Sequence, residues 1–324
     1  MKKLNYKKDS NAINISRGNA LFIYGLLIWP LIHFAVFWVY INFATIENSF
    51  FKYSIDGSRV FNGIKNYGKV FTDILFKDSS SILNYRALLN TLSLIPISLI
   101  INMPIMLFFA YFIYKKVAGY AVYRIVLFIP AVISSVVLCL VFGAIVSPGG
   151  PFDVILTKLG LGGDGTGYDM GIIPLSGWLQ DERTAWSTLL VFSVICGISG
   201  YLIYFNSAMS RLPMEVFESA ELDGASEFRQ FFAIVIPMIW PIITTMSVQS
   251  LSLVFSWFMP ALLLSDSSKY ATTIGLIIVN QARSGEPSVT GVVSAMAVVV
   301  SIFGGAIVLT FKTIMEKFFR GVQY

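Results

Sequence analysis

Long apolar runs separated by shorter polar segments dominate the sequence. Six of these runs reach about 20 residues, the length that an α-helix needs to cross roughly 30 Å of hydrocarbon. They cover residues 20–44, 88–113, 125–146, 185–209, 236–264 and 291–311. The pattern therefore predicts an all-α membrane protein with six transmembrane helices.

The composition supports this prediction and limits the energy source. Only 13% of the 324 residues are charged, against about 25% in an ordinary soluble domain. The interiors of the six runs contain no Asp, Glu, Lys or Arg, and His33 is their one titratable imidazole. Transporters driven by protons or sodium ions keep ionisable groups at mid-membrane. We therefore expect the energy to come from outside this chain.

The distribution of Lys and Arg predicts the orientation. Residues 1–19 contain five of them, residues 114–124 contain three, and residues 311–324 contain three. Because basic residues favour the cytoplasmic side, both termini are expected in the cytoplasm. Residues 1–19 and 318–324 would then be cytoplasmic tails, residues 20–44 a retained first span rather than a cleaved signal peptide, and residues 45–83 an extracytoplasmic loop. The net charge of +5 lies at helix ends, which favours lipid headgroups over nucleic acid as the partner.

The sequence predicts no enzyme site. It contains no G-x-x-x-x-G-K-[ST] loop for nucleotide phosphates, no serine nucleophile elbow and one histidine in all. Cys139 and Cys196 both lie inside apolar runs, as small buried hydrophobic residues do. We expect no cofactor, catalytic residue or metal ion in this chain.

Residues 213–237, "PMEVFESAELDGASEFRQFFAIVIP", form a charged interruption between the fourth and fifth runs, which we call the knuckle. Pro213 favours a helix start, and the Asp223–Gly224 pair favours a stop after a helix at 214–222. Ser226 can cap a second helix from Glu227 to about residue 233. The pattern predicts a protruding element that exposes Phe217. On these residues alone, a docking site and a plain connector remain equally open.

The knuckle resembles the E-A-A motif of the permease subunits of binding-protein-dependent ABC importers. In that motif E-A-A is followed by three residues, Gly, nine residues and I-x-L-P. This chain has Glu218-Ser219-Ala220, Gly224 and residues 234–237 "IVIP" at the same spacing, with Ser219 and Ile236 as the departures. Asp223 and Ala225 also match the D-G-A extension seen in carbohydrate importers.

The resemblance implies the type I ABC importer fold over residues 84–317 and a bacterial cell membrane location. It also implies a second homologous permease, two ATP-binding cassette subunits that bind ATP and Mg, and an extracytoplasmic solute-binding protein. In the family, this element is the coupling helix, which docks on the ATPase. The coupling positions carried over are Phe217, Glu218, Ala220, Asp223 and Gly224.

The closest resemblance is to permeases of the maltose, lactose and glycerol-phosphate type, which implies a sugar or oligosaccharide as the cargo. The expected substrate path combines small, polar and aromatic residues of the fourth and fifth runs: Gly197, Gly200, Tyr201, Gln249, Ser256 and Trp257. Maltose permeases have asparagines where this chain has Val254 and Trp257, so these glycines and Trp257 can also be read as packing contacts and an interfacial anchor. Other cargoes (glycerol phosphate, a polyamine or a peptide) and a scaffold or sensor subunit that transports nothing remain the alternatives.

Overall fold

The computed structural model describes residues 17–75, 82–159, 177–197, 200–265 and 270–318. Apart from one β-hairpin and the connecting turns, these ranges are helical. The α-helices are, in chain order, α1 (Arg17–Phe34), α2 (Tyr40–Ser49), α3 (Lys65–Leu75), α4 (Ile82–Pro96), α5 (Met103–Tyr114), α6 (Tyr120–Val132), α7 (Ser135–Ile145), α8 (Pro151–Lys158), α9 (Ala185–Gly197), α10 (Leu202–Met209), α11 (Met214–Leu222), α12 (Glu227–Gln230), α13 (Ile236–Met238), α14 (Trp240–Phe255), α15 (Met259–Leu264), α16 (Ile274–Arg283) and α17 (Pro287–Phe318). Three π-helical turns, Ala35–Val39, Ile97–Asn102 and Phe231–Val235, join neighbouring helices.

Each predicted apolar run is helical, but two of them are sharply bent. Phe22–Ser49, Tyr85–Tyr114, Ala185–Met209 and Pro287–Phe318 are each long and apolar enough to cross a membrane. The pairs α6–α7 and α12/α13–α14 bend by 104° and 74°. The described residues therefore provide four spans, or up to six if each bent pair counts as one.

Both bends have a local backbone cause. Between α6 and α7, Ile133 and Ser134 are extended, with ψ near 139° and 137°. Before α14, Ile239 leaves the helical conformation (φ −97°, ψ 9°), and the nearby Pro241 has no N–H to donate to the preceding turn. Residues 125–146 and 236–264 are thus broken helices, whereas the apolar pattern predicted continuous ones.

The segment expected to be an extracytoplasmic loop at 45–83 is mostly ordered structure. Helix α2 continues to Ser49, and the strands β1 (Phe51–Tyr53) and β2 (Arg59–Phe61) form an antiparallel hairpin before α3. The Asp56–Gly57 pair makes the turn, with Gly57 at φ +82°, a hairpin signal that the sequence contained. Residues 76–81 of the expected loop lie outside the described residues. The fold is therefore helical with one small hairpin.

The segment from α2 to α3 is held against the last helix. The Asn66 amide donates to the carbonyl oxygens of Ser49 and Phe51 at 2.8 and 2.9 Å. A side-chain carbon on Gly291 of α17 would collide with the Phe51 carbonyl, so Gly291 permits the close approach. Phe51 and Gly291 thus bring the hairpin against the start of α17.

The largest core cluster lies at the knuckle end of the molecule and joins α5, α10, α14 and the knuckle. At this end Trp240 Nε1 donates to the carbonyl of Met315 at 3.0 Å, so the end of α17 lies on the knuckle side. Unlike the side chains of this buried cluster, those of the first span from Phe22 to Phe43 are all exposed. That the knuckle side is the cytoplasmic side stays a prediction.

Candidate functional site: the knuckle and the cavity above it

The knuckle has the predicted helix–turn–helix structure. Helix α11 covers Met214–Leu222 and ends in a Schellman turn, in which Gly224 N–H donates to Glu221 O and Ala225 N–H donates to Ala220 O at 3.0 and 2.9 Å. Gly224 has φ +75°, a conformation that other L-residues adopt at a cost. The Ser226 side chain accepts from Arg229 N–H at the start of α12. The second helix ends its α-helical part at Gln230 and continues as the π turn to Val235.

The expectation that Phe217 is exposed was wrong. Its side chain is 2% exposed and belongs to the main core cluster. The ring packs against Tyr114, with 5.8 Å between ring centroids. Because α11 is amphipathic, its one large aromatic residue faces the membrane helices, where burial removes apolar area from water. Phe217 therefore anchors α11 and does not present itself to a partner.

Helix α11 exposes charged side chains and two large apolar ones, Met214 and Leu222. Glu218 and Asp223 are exposed, as is Gly224, and Ala220 is half-buried. Leu222 is 89% exposed, and the residues around it in the sequence do not identify it as a residue that contacts a partner. Helical periodicity places Leu222 between Glu215 and Glu218 on the charged face of α11, a signal for exposure that the sequence reasoning missed.

Lys115, immediately after α5, joins both helices of the knuckle. Its Nζ lies 3.3 Å from a carboxylate oxygen of Glu221 and 3.2 Å from one of Glu227, and it donates to Gln230 at 2.9 Å. The Tyr111 hydroxyl donates to the other carboxylate oxygen of Glu227. Partial burial acts to raise the pKa of Glu227, but the hydrogen bonds from Tyr111 and Lys115 and the Lys115 charge together hold that pKa below its usual value.

A cavity of about 190 Å³ lies where the second, fourth and fifth spans meet. Each span contributes side chains that suit solute contact. They are Ser98 and Asn102 from the π turn of the second span, Ser193, Gly197 and Tyr201 from the fourth, and Ser250 and Trp257 from the fifth. π-Helical turns inside longer helices are frequent at functional sites.

The polar groups of the cavity wall are partly paired. The Ser98 and Ser250 hydroxyls share a hydrogen bond, and Asn102 Nδ2 donates to the Ser193 carbonyl at 3.3 Å. The Asn102 carbonyl oxygen Oδ1 is buried and has no hydrogen-bond partner among the residues that the structure describes. A buried acceptor left without a partner costs free energy until a donor reaches it, so Oδ1 is an available contact for a hydroxyl-bearing solute.

The structure brings together half of the predicted substrate-path residues. Gly197, Tyr201 and Trp257 line the cavity, and the Trp257 ring meets Trp186 edge-on at 6.3 Å.

The other three predicted residues, Gly200, Gln249 and Ser256, are exposed and do not line this cavity. Ser250, Val254 and Trp257 share one face of the helical stretch, so Gln249 and Ser256 point elsewhere. Ser98, Asn102 and Ser250 were missed. The available signal was that they are polar residues in otherwise apolar runs.

A bundle of bent and straight apolar helices, several of them long enough to cross a membrane, is the arrangement of an integral membrane protein. Residues 79–321 match the family described as the binding-protein-dependent transport system inner membrane component. This match covers well over half of the chain, so the protein belongs to that family. It is accordingly an integral component of a membrane.

Two similar proteins come from Bacillus subtilis. The probable ABC transporter permease protein YurN is 28% identical over 302 residues, 91% of this chain and 95% of its own length. The arabinooligosaccharides transport system permease protein AraP is 25% identical over 65% of this chain and 62% of its own length.

A solved structure has the same fold. The crystal structure of a bacterial ABC transporter involved in the import of the acidic polysaccharide alginate matches with a TM-score of 0.72 and 19% identity, over 93% of this chain and 96% of that chain. This likeness confirms the predicted ABC importer fold.

Proposed function

We propose that this chain is the membrane-spanning permease subunit of an ATP-driven importer for a sugar or oligosaccharide. The observation that carries the proposal is the knuckle, whose E-A-A motif folds into a capped helix that ends in a left-handed Gly224 and turns a charged face outward. The carbohydrate class is supported by the relatives, since AraP is a permease for arabinooligosaccharides and the structural neighbour imports alginate.

In this proposal the knuckle is the docking element for a separate ATPase. Glu218 and Asp223 are the polar contacts, and Leu222 inserts as the apolar one, in the manner of a short amphipathic helix in a groove. Two ATP-binding cassette subunits bind ATP and Mg, and this chain contributes no catalytic residue or cofactor. The knuckle and both termini face the cytoplasm, while an extracytoplasmic binding protein delivers the solute.

The cavity is the part of the solute path that this chain contributes. Sugar sites combine hydrogen-bonding groups with aromatic faces that cover the C–H side of the ring. Asn102 and Tyr201 provide the former and Trp257 the latter. Its volume of about 190 Å³ is below the roughly 300–1,000 Å³ of typical ligand pockets. An oligosaccharide therefore requires an opened conformation and a second homologous permease that completes the path.

The alternatives are a different cargo and a scaffold subunit without transport. The cavity-lining side chains are all uncharged, which disfavours a polyamine or a phosphate ester, because each would need an opposite charge nearby. The scaffold alternative shares the knuckle and differs in having no solute path.

Affinity purification of the chain from its native membrane in detergent, followed by reconstitution into liposomes, tests the proposal. We expect a second permease and an ATPase to co-purify, and one sugar with its binding protein to stimulate both ATP hydrolysis and uptake. Stimulation by a charged solute alone would change the cargo class. Co-purification of a soluble partner that is not an ATPase, with no solute uptake, would support the scaffold alternative.

A further inference from the structure

The second span reaches the knuckle through side-chain contacts, whereas the fourth and fifth spans continue into it along the backbone. Among these contacts, Lys115 makes direct ion pairs with both knuckle helices. It pairs with Glu221 near the end of α11, and with Glu227 and Gln230 in α12. Its side chain is 19% exposed, and its Nζ lies 5.3 Å from the centre of the Phe217 ring. One cation thus bridges the Gly224 turn from the end of α5.

Helix α5 links this bridge to the cavity. It covers the 12 residues Met103–Tyr114, about 18 Å at 1.5 Å per residue. At its other end is the π turn Ile97–Asn102, whose Ser98 and Asn102 line the cavity. A straight α-helix transmits displacement along its length with little deformation, and a π turn departs from the regular hydrogen-bond pattern.

We propose that Lys115 is the positioning residue that fastens both knuckle helices to the second span, so that a displacement of the knuckle shifts Ser98 and Asn102 in the cavity. This inference rests on the proposed function and adds the path by which the knuckle acts on the solute. Lys115 contacts neither the solute nor ATP.

The exposure of the two glutamates that pair with Lys115 indicates that these ion pairs position the knuckle helices and do not hold the fold together. The side chains of Glu221 and Glu227 are 57% and 59% exposed, and exposed ion pairs contribute little to folding stability. The fold at this end is held by the buried rings of Phe217 and Phe231. The Lys115 pairs can therefore be removed without unfolding the knuckle, while the relative orientation of its two helices becomes less restricted.

The first experiment measures fastening in the purified chain, independently of transport. Lys115→Met keeps the aliphatic stem and removes the charge, Lys115→Arg keeps the charge, and Lys116→Met changes the neighbouring exposed lysine. We expect Lys115→Met to raise hydrogen–deuterium exchange of the amides of residues 220–230 by about threefold or more. In Lys115→Met, the exchange of the α14 amides should match the wild type. In Lys115→Arg and Lys116→Met, the exchange of residues 220–230 should also match the wild type. Unchanged exchange at residues 220–230 would overturn the proposal.

The second experiment measures coupling in the reconstituted assembly as solute molecules imported per ATP hydrolysed. We expect Lys115→Met to lower this ratio by about fivefold or more, with assembly yield unchanged, and Lys115→Arg to stay within about twofold of the wild type. A wild-type ratio in Lys115→Met would overturn the positioning role.

If Lys115→Met does not assemble, Glu227→Gln and Glu221→Gln test the same bridge from the knuckle side, and normal ratios in both would overturn it. A wild-type assembly that imports no sugar would instead refute the proposed function, and the exchange measurement would still decide whether Lys115 fastens the knuckle.

Discussion

Gly197 lies so close to Asn102 that a side-chain carbon at position 197 would overlap the amide nitrogen Nδ2. The missing side chain lets the fourth span approach the π turn of the second. In this arrangement Asn102 donates to the Ser193 carbonyl, and its own buried carbonyl oxygen finds no partner within the described part of the chain. Gly197 is thus a packing residue whose effect is to set the position of a polar group in the cavity wall.

We predict that Gly197→Ala impairs uptake. The added methyl group displaces the Asn102 amide and moves the acceptor offered to the solute, so that the KM for uptake should rise by about tenfold, the effect of losing roughly 1.4 kcal/mol of binding. Gly200→Ala is the matched control, because its methyl group would lie 3.8 Å from the nearest neighbour, the Gly197 carbonyl. Equal KM values for the two variants, measured in proteoliposomes, would contradict this arrangement.

We predict that Trp257→Ala weakens transport more than it weakens assembly. Trp257 lines the cavity and meets Trp186 edge-on, so its removal takes away an aromatic face worth about 1 kcal/mol, or roughly a fivefold rise in KM. Trp38→Ala removes an exposed tryptophan of the first span and serves as the control in the same uptake assay. Unchanged uptake kinetics in Trp257→Ala would assign the residue to interfacial anchoring.

The sequence predicts the elements of this fold better than their shapes. The six apolar runs and the stop at Gly224 are local properties, so the approximate positions of the spans and the turn of the knuckle follow from them. Pro241 was a local signal for the bend at Ile239, whereas the exposure of Gln249 depends on how spans pack against one another, which one sequence does not specify. The burial of Phe217 could be predicted only in part. The amphipathic pattern of α11 was visible in the sequence, but which face of the helix packs against the bundle was not. The place of Asn102 in the cavity wall could be recognised only from its contact with Gly197 in the structure.

We predict that substitutions of two apolar residues in the same short helix affect different properties, one the stability of the chain and the other its binding to the ATPase. Phe217→Ala removes a ring that is 2% exposed and should destabilise the chain by about 3–5 kcal/mol through loss of core packing. Leu222→Ala removes a side chain that is 89% exposed, so that thermal stability in detergent should stay unchanged while co-purification of the ATPase decreases. Loss of stability in Leu222→Ala, or normal stability in Phe217→Ala, would contradict the assigned faces of α11.

We predict that the contribution of Glu227 to coupling is the same at pH 6 and pH 8. Although partial burial acts to raise its pKa, the hydrogen bonds from Tyr111 and Lys115 hold that pKa below the usual value of a glutamate, so the carboxylate is ionised throughout this range. The stabilising pair with Lys115 is fully present above the unfolded-state pKa and is lost only as the pH falls through the lower folded-state pKa. Dividing the solute-per-ATP ratio of the wild type by that of Glu227→Gln at each pH cancels the pH dependence of the ATPase. A quotient that approaches one at pH 6 would contradict the lowered pKa.

We predict that Gly224→Pro uncouples ATP hydrolysis from solute uptake while membrane insertion stays intact. Gly224 has φ +75° and its N–H donates to Glu221 O. Proline fixes φ near −65° and has no N–H, so the Schellman turn between α11 and α12 cannot form. Gly224→Asn is the control, because asparagine adopts the left-handed conformation more readily than other residues with a side chain.

The measurement compares membrane yield, ATP hydrolysis and uptake for the wild type and both variants. We expect equal yields, retained uptake in Gly224→Asn, and ATP hydrolysis without uptake in Gly224→Pro. Steric hindrance would not explain the loss of uptake in Gly224→Pro, because no described atom lies within 4 Å of a side-chain carbon built on Gly224. Normal uptake by Gly224→Pro would show that the geometry of this turn is not needed to transmit movement from the ATPase to the membrane helices.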